Sequence, residues 1–234
     1  MPIGVLVPNV DNRVSAWMKI VARKKKGDAN ENDKIGITIT ISRQFGCEGY
    51  PLAKELKEKL EAETDQEWII LDKDLIDKVA QDTNLSQTLI KDLGVVSSFI
   101  QDFFSSFKSG AISKDQVFKE IAEIILRVAK EGNAIIVGRG AAVITQHLDN
   151  CHHFRLEAPL DYRIDSIAKR AGVDQDKAKK IVLENQANRE KFLKDFIHVD
   201  IRDLEYYDAI FNNSKNSIES IAKTILTYLE KEFN

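Results

Sequence analysis

The chain contains no apolar run approaching the ~20 residues that a membrane-spanning helix needs. Cysteine is scarce: Cys47 and Cys151 lie far apart, without metal-ligand or C-x-x-C spacing. That argues against a disulfide framework and fits a reducing compartment. A dominant charge is also missing. The net value is −3 at pH 7, so nothing draws the chain as a whole toward nucleic acid or an anionic membrane. His147, His152, His153 and His198 show neither metal spacing nor a nucleophilic partner, and no Ser-His-Asp order stands out. The basic cluster Arg23–Lys26 follows the N-terminal apolar residues, the reverse of a secretory signal. The expectation is a cytoplasmic protein with no membrane or nucleic-acid partner and no protein-borne metal cluster.

What is present suits a folded domain. The 234 residues are 43% hydrophobic and 30% charged, enough for one sizeable domain or a domain with an appendage. Residues 1–34 read as a separate N-terminal helix and linker. Asp11 is placed to cap a helix running to about Lys26, with Val14, Trp17, Met18, Val21 and Ala22 on one face, and GDANENDK follows as a polar linker. Such a helix either docks on its own domain or on a second copy, making a homodimer possible, or lies on a membrane or partner. A single short basic run argues weakly for the last of these.

From residue 35 the pattern alternates strand and helix. Ile35–Ser42 reads as a first strand, and Leu52, Ala53, Leu56 and Leu60 recur at helical spacing after a glycine loop, with Pro51 in the first turn. Trp68–Leu71 is a second strand, with a helix through Leu75, Ile76, Val79 and Ala80. Residues 83–113 mix polar caps with Phe99, Phe103, Phe104 and Phe107, as a helical insert or small packed helices would. Val117, Phe118, Ile121, Ile124, Ile125 and Val128 form one apolar stripe that ends at Gly132. Asn133–Val137, Cys151–Glu157 and Tyr207–Phe211 complete the strands. Asp174 opens a long polar helix, and Asn216 with Glu219 resembles a capping box for the last one. Strands alternating with helices predict a doubly wound α/β domain with a parallel sheet. Ligands of such sheets bind outside the carboxyl ends of the strands. That rule selects Arg43–Gly49, Asp72 and Gly138–Gly140.

The loop Arg43–Gly49 joins a strand to a helix, the arrangement that turns backbone N–H groups toward a phosphate. Gly46 and Gly49 allow a close approach, and Arg43 adds charge. The phosphate-loop pattern G-x-x-x-x-G-K-[ST], aligned on Gly49, would need Gly, Lys and Ser or Thr where this chain has Gln44, Tyr50 and Pro51. The loop is either an anion site or an ordinary turn. Arg139, between Gly138 and Gly140, has the fork and the room to grip a phosphate or carboxylate. Asp72 is a ligand-binding carboxylate or a helix N-cap. Arg163 and Arg170 share a helix face and, with Arg189, make either a basic lid for phosphoryl transfer or a solvated face paired with Asp161, Asp165 and Glu190.

Several stretches together resemble the cytidylate kinase-like family of nucleoside monophosphate kinase relatives. They are ITISRQFGCEGYPLAKELKEKL, LDKDLI, IIVGRGA, EAPLDYRI with its following KRAG, and YDAIFNNSKNSIES, in an order covering about residues 35 to 230. The resemblance implies a P-loop kinase-like three-layer fold with a parallel five-stranded sheet, a helical insert and a lid. It implies ATP and Mg²⁺ as cofactors and a small-molecule nucleotide, CMP or similar, as acceptor. By position it assigns Arg43, Gly46, Cys47, Glu48, Gly49 and Tyr50 to the donor-phosphate loop, Asp72 and Arg139 to the acceptor, and Arg163, Arg170 and Arg189 to the lid.

The family's loop reads S-R-x-[FY]-G-S-G-G-R-E, so Cys47 replaces a hydroxyl, Glu48 a glycine and Tyr50 an arginine. A unit charge ~4 Å from another is worth on the order of 4 kcal/mol at an effective dielectric of about 20. The exchange therefore raises a second expectation, a catalytically inactive pseudokinase that binds a nucleotide, an anion or a protein partner.

Overall fold

In the computed structural model, described for residues 9–15, 17–18, 36–81, 116–197 and 199–233, strand β1 (Thr38–Arg43) runs through the middle of a five-stranded sheet. Its neighbours are β3 (Ala134–Val137) and β4 (Cys151–Glu157), with β2 (Ile69–Asp72) and β5 (Ala209–Asn212) at the edges. The order is β2-β3-β1-β4-β5, and every pairing is parallel. Parallel strands need crossover connections, and helices cover both faces.

On one face α1 (Gly49–Thr64) and α7 (Ile218–Phe233) pack Leu52, Leu56 and Leu60 with Ile221, Ile225 and Leu229 against Ile39 and Ile41. On the other, α2 (Lys73–Gln81) and α3 (Gln116–Glu131) pack Leu75, Val79, Ile125 and Val128 against Ile136. The polar face of β1 is buried too, and its hydroxyls are matched. Thr38 Oγ1 donates to the Ala129 carbonyl at 3.0 Å, and Thr40 Oγ1 shares a 2.8 Å hydrogen bond with His153 Nδ1. Short α4 (Ala141–Ile144) follows β3, and α5 (Leu160–Ala171) and α6 (Gln175–Phe196) follow β4. Sheet and flanking helices form a three-layer α/β fold with a parallel five-stranded sheet. The expected helical insert at 83–113 lies outside the described residues.

Some boundaries differ from the sequence reading. β5 starts at Ala209 instead of Tyr207, because a 3₁₀ turn at Leu204–Tyr206 precedes it and the Tyr207 hydroxyl donates to the Ile201 carbonyl. The last helix is capped by Ser217, whose Oγ accepts from the Ser220 amide at 3.2 Å, while Asn216 turns back to the Asn212 carbonyl. At the N-terminus Asn9, not Asp11, supplies the capping oxygen, accepting from the Asp11 amide at 2.8 Å. Residues 10–15 and 17–18 are helical, and the rest of the helix expected to reach Lys26 lies outside the described residues.

Candidate functional site

Register sets the site. Ile41 pairs with Val137, and Val137 with Asp72, so β1, β2 and β3 release their loops side by side. Arg43 extends beyond this level, pairing with Leu156 of β4. Its side chain runs between two glycines. A Cβ at Gly49 would lie 3.2 Å from Arg43 Cδ, and one at Gly138 would collide with Arg43 Nη1. Burial, opposed by Asp72 and reinforced by Arg139, lowers the Arg43 pKa to about 10, still well above neutrality, so the guanidinium stays charged.

The loop Gln44–Glu48 is held from outside. The Phe45 amide donates to Gln186 Oε1 at 2.8 Å, the Glu48 amide to Asn213 Oδ1 at 2.9 Å, and the Cys47 amide to the Gln44 carbonyl at 3.2 Å. Those donors are therefore engaged by the protein. Gly46 has φ +100°, and a Cβ there would sit 2.6 Å from Arg163 Cβ, so α5 rests directly on the loop. Glu48 is the N-cap of α1 but makes no capping bond. Its carboxylate instead accepts from the Tyr162 hydroxyl at 3.3 Å. The first-turn amides of α1, orphaned as in any helix, are not covered by that carboxylate. Cys47 is buried, which pushes its thiol up to about 11 and keeps it protonated at neutral pH.

Arg163 of α5 and Arg189 of α6 face the same loop. Arg163 donates through Nε to the Ala158 carbonyl at 3.0 Å and through Nη1 to the Phe45 carbonyl at 3.3 Å. Arg189 donates to the Arg43 carbonyl at 3.3 Å and lies 4.8 Å over the Phe45 ring. Burial, then the charges of Arg43 and Arg170, holds the Arg189 pKa well below its usual value. Arg170 Nε is buried and makes no hydrogen bond among the described residues. Among those residues, none of Arg43, Arg163, Arg170 and Arg189 has a carboxylate within ion-pair distance. The pairing expected with Asp161, Asp165 and Glu190 does not form. Asp165 and Glu190 instead accept from Gln175 and Gln186.

Asp72 and Arg139 occupy the neighbouring edge. Asp72 does cap α2, accepting the Leu75 amide at 3.0 Å, and the same oxygen lies 2.9 Å from Arg13 Nη2. Arg139 adopts φ 58° between Gly138 at 84° and Gly140 at 72°. A left-handed run of this kind is strained for the arginine and turns the chain sharply at the strand end. Its guanidinium pairs with Asp77 and lies 4.7 Å over the Phe192 ring. Beside the loop, a cleft of about 360 Å³ opens against Gln44, Ala158, Pro159, Phe211 and Asn212.

The structure thus brings Arg43, Gly46, Cys47, Glu48, Gly49, Tyr50, Arg163 and Arg189 around one loop, with Arg170 near Arg189, and sets Asp72 and Arg139 on the edge beside it. Sequence reasoning missed Arg13, Asp77, Gln186 and Asn213. No spacing marks them, because each acts across a long stretch of chain. Asn213 alone lies inside a stretch that carried the family resemblance. Among the described residues no cluster of His, Cys, Asp or Glu could hold a metal ion, and no helix is long and apolar enough to cross a membrane.

Comparison with known proteins agrees with this fold. The profile of the Cytidylate kinase-like family matches residues 38–215. A cytidylate kinase from Methanocaldococcus jannaschii is 28% identical over 126 residues, 53% of this chain and 71% of that protein. One from Pyrococcus horikoshii is 33% identical over 128 residues, 53% of this chain and 65% of its own length. The chain therefore spans about two thirds of the relatives it matches. A crystal structure of an uncharacterised protein from Eubacterium ventriosum superposes with a TM-score of 0.65 at 23% identity, covering 83% of this chain and 98% of that one.

Proposed function

Because the chain belongs to the Cytidylate kinase-like family, we propose that it transfers a phosphoryl group from ATP to a nucleoside monophosphate resembling CMP. One observation carries this reading. Arg43, Arg163 and Arg189 gather around a glycine loop and a helix start with no carboxylate within ion-pair distance among the described residues, and Arg170 adds its charge beside Arg189. Packed, desolvated cations of like sign disfavour one another, and a polyphosphate is the counter-charge that removes this cost.

In this reading the donor phosphates meet the first-turn amides of α1, at Gly49 and Tyr50, together with Arg43. Gly46 and Cys47 shape the loop. Arg163 and Arg189 are oriented by backbone carbonyls, which fix direction without cancelling charge. With Arg170 they neutralise charge that develops on the transferring group. Asp72 and Arg139 face the acceptor. Catalysis here is positioning and electrostatics, with no covalent step for the protein. Mg²⁺, when bound, would supply positive charge that offsets the donor phosphates. Since it needs only one or two protein carboxylates and the substrate's own oxygens, Glu48 in the loop is the side chain fit to approach it.

A second reading, a catalytically silent nucleotide or anion binder, is favoured by the amides of Phe45, Cys47 and Glu48, which are engaged within the protein. Purified protein given Mg-ATP and a panel of nucleoside monophosphates separates the two. ADP release dependent on the acceptor is the expected result. Binding heat without turnover would leave the second reading standing.

A further inference from the structure

Arg13 reaches the acceptor edge from outside the family-matched segment 38–215. Two buried neighbours on the N-terminal helical stretch, Val14 and Trp17, anchor it in the core cluster that contains Leu75 and Val79. Asp11 approaches Lys78 of α2 at 3.5 Å. This docking leaves the Arg13 side chain only 12% exposed. Its Cζ lies 5.6 Å over the Tyr50 ring, in the altered loop, and its Nη2 lies 2.9 Å from Asp72 Oδ1.

The contact with Asp72 is close but poorly aligned. Neither Nη1 nor Nη2 makes a hydrogen bond of good geometry among the described residues, although both are shielded from solvent. The Asp72 oxygen it faces already accepts the Leu75 amide. Arg139 Nε is likewise buried without a hydrogen bond there. Arg43 feels Asp72 from the other side and Arg139 as a like charge. Arg13, Arg43 and Arg139 thus share this edge with Asp72 and Asp77, and several of their buried donors lack an aligned acceptor. Buried guanidinium donors in that state favour a ligand with several anionic oxygens.

We propose that Arg13 binds the phosphate of the acceptor nucleotide, delivered to the site by the N-terminal segment, with that phosphate replacing Asp72 as its partner. Asp72 keeps its place through the cap of α2, so one anionic partner is exchanged for another. The proposal rests on the acceptor being a nucleoside monophosphate.

The test uses the full chain and its Arg13→Ala and Arg13→Lys variants, titrated calorimetrically with CMP, cytidine, inorganic phosphate and Mg-ATP, alongside ADP release. Loss of a charge-assisted hydrogen bond predicts CMP affinity weakened about 10- to 100-fold in Arg13→Ala and partly restored in Arg13→Lys. Mg-ATP and cytidine affinities stay unchanged. Unchanged CMP affinity in both variants would reduce Arg13 to an anchor, and tighter CMP binding would make the segment an obstruction. Either result overturns the proposal, as does equal weakening of cytidine, or binding of inorganic phosphate without CMP. Turnover with an unchanged KM for CMP in Arg13→Ala would sink this role yet spare the kinase reading. Arg13-dependent CMP binding without ADP release would do the opposite. Wild-type protein that binds neither CMP nor phosphate would sink both.

Discussion

Around the loop, Arg43, Arg163, Arg170 and Arg189 stand without carboxylate partners among the described residues, whereas on the adjoining edge Arg13 faces Asp72 and Arg139 pairs with Asp77. Of the first group, Arg163 and Arg189 are held by backbone carbonyls, and Arg189 also by the Phe45 ring. Such contacts orient a guanidinium but leave its charge in place, so a positive field persists over the first turn of α1. In the second group the charges are largely balanced before any ligand arrives, and binding there means exchanging one anionic partner for another. Attraction of a highly charged ligand is therefore the business of the loop side. Discrimination suits the paired side, because a ligand of the wrong shape would break ion pairs without replacing them.

The comparison breaks most visibly at Arg189. Replacing it with Met removes a cation poised over the loop, and kcat/KM from ADP-release kinetics should fall by roughly 10³-fold, the lower range for an arginine at a transferring phosphoryl group. Retained activity would mean that the unpaired cluster is not the catalytic side.

Acid sensitivity should arise in the sheet beneath both sides. Burial, only partly opposed by nearby Asp208, lowers the His153 pKa from 6.5 to about 4. Between those values the unfolded chain binds a proton that the folded chain does not. The stabilisation is thus present above about pH 6.5 and is lost as pH falls toward 4, by roughly 3 kcal/mol in total. Urea unfolding followed across that range checks it, and the slope should vanish in a folded His153→Gln variant.

Contact between the loop and α5 is tested by Gly46→Ala. Both the positive φ and the 2.6 Å approach to Arg163 Cβ oppose a side chain, so about 2 kcal/mol of stability should be lost in urea melts. Gly172→Ala is the control. Its φ is +61° but nothing lies within 4 Å of the added carbon, so strain alone remains and the loss should be about 1 kcal/mol. Equal losses would deny that α5 rests on the loop.

The smallest expected effect sharpens the comparison. Glu48→Gln removes the one negative charge set into the loop and should tighten binding of metal-free ATP about tenfold, allowing for solvent screening of a part-exposed carboxylate. No change would place Glu48 outside the ligand's field.

Much of the framework was legible because it is periodic. Leu52, Leu56 and Leu60 mark α1 by spacing, Cys151–Glu157 reads as a strand over the bounds it takes, and the carboxyl-edge rule alone brought Arg43, Asp72 and Arg139 together. The rest depends on polar partners far apart in the chain. Gln186 bonds the Phe45 amide, Asn213 the Glu48 amide, and Arg13 meets Asp72, and no local pattern encodes such pairings. Spacing also could not decide whether Arg163, Arg170 and Arg189 face carboxylates of their own helices or the loop, because both arrangements share one helical face. Even the changed residues read differently in three dimensions. Glu48, which by sequence alone threatens to fill the anion site, turns to Tyr162 instead.

The central claim is that the unpaired arginines form a polyphosphate site despite the altered loop, and calorimetric titration of the full chain with Mg-ATP at low and at high salt tests it most directly. Saturable binding that weakens as salt rises is the predicted result. Absence of binding heat up to millimolar ATP at low salt would contradict it.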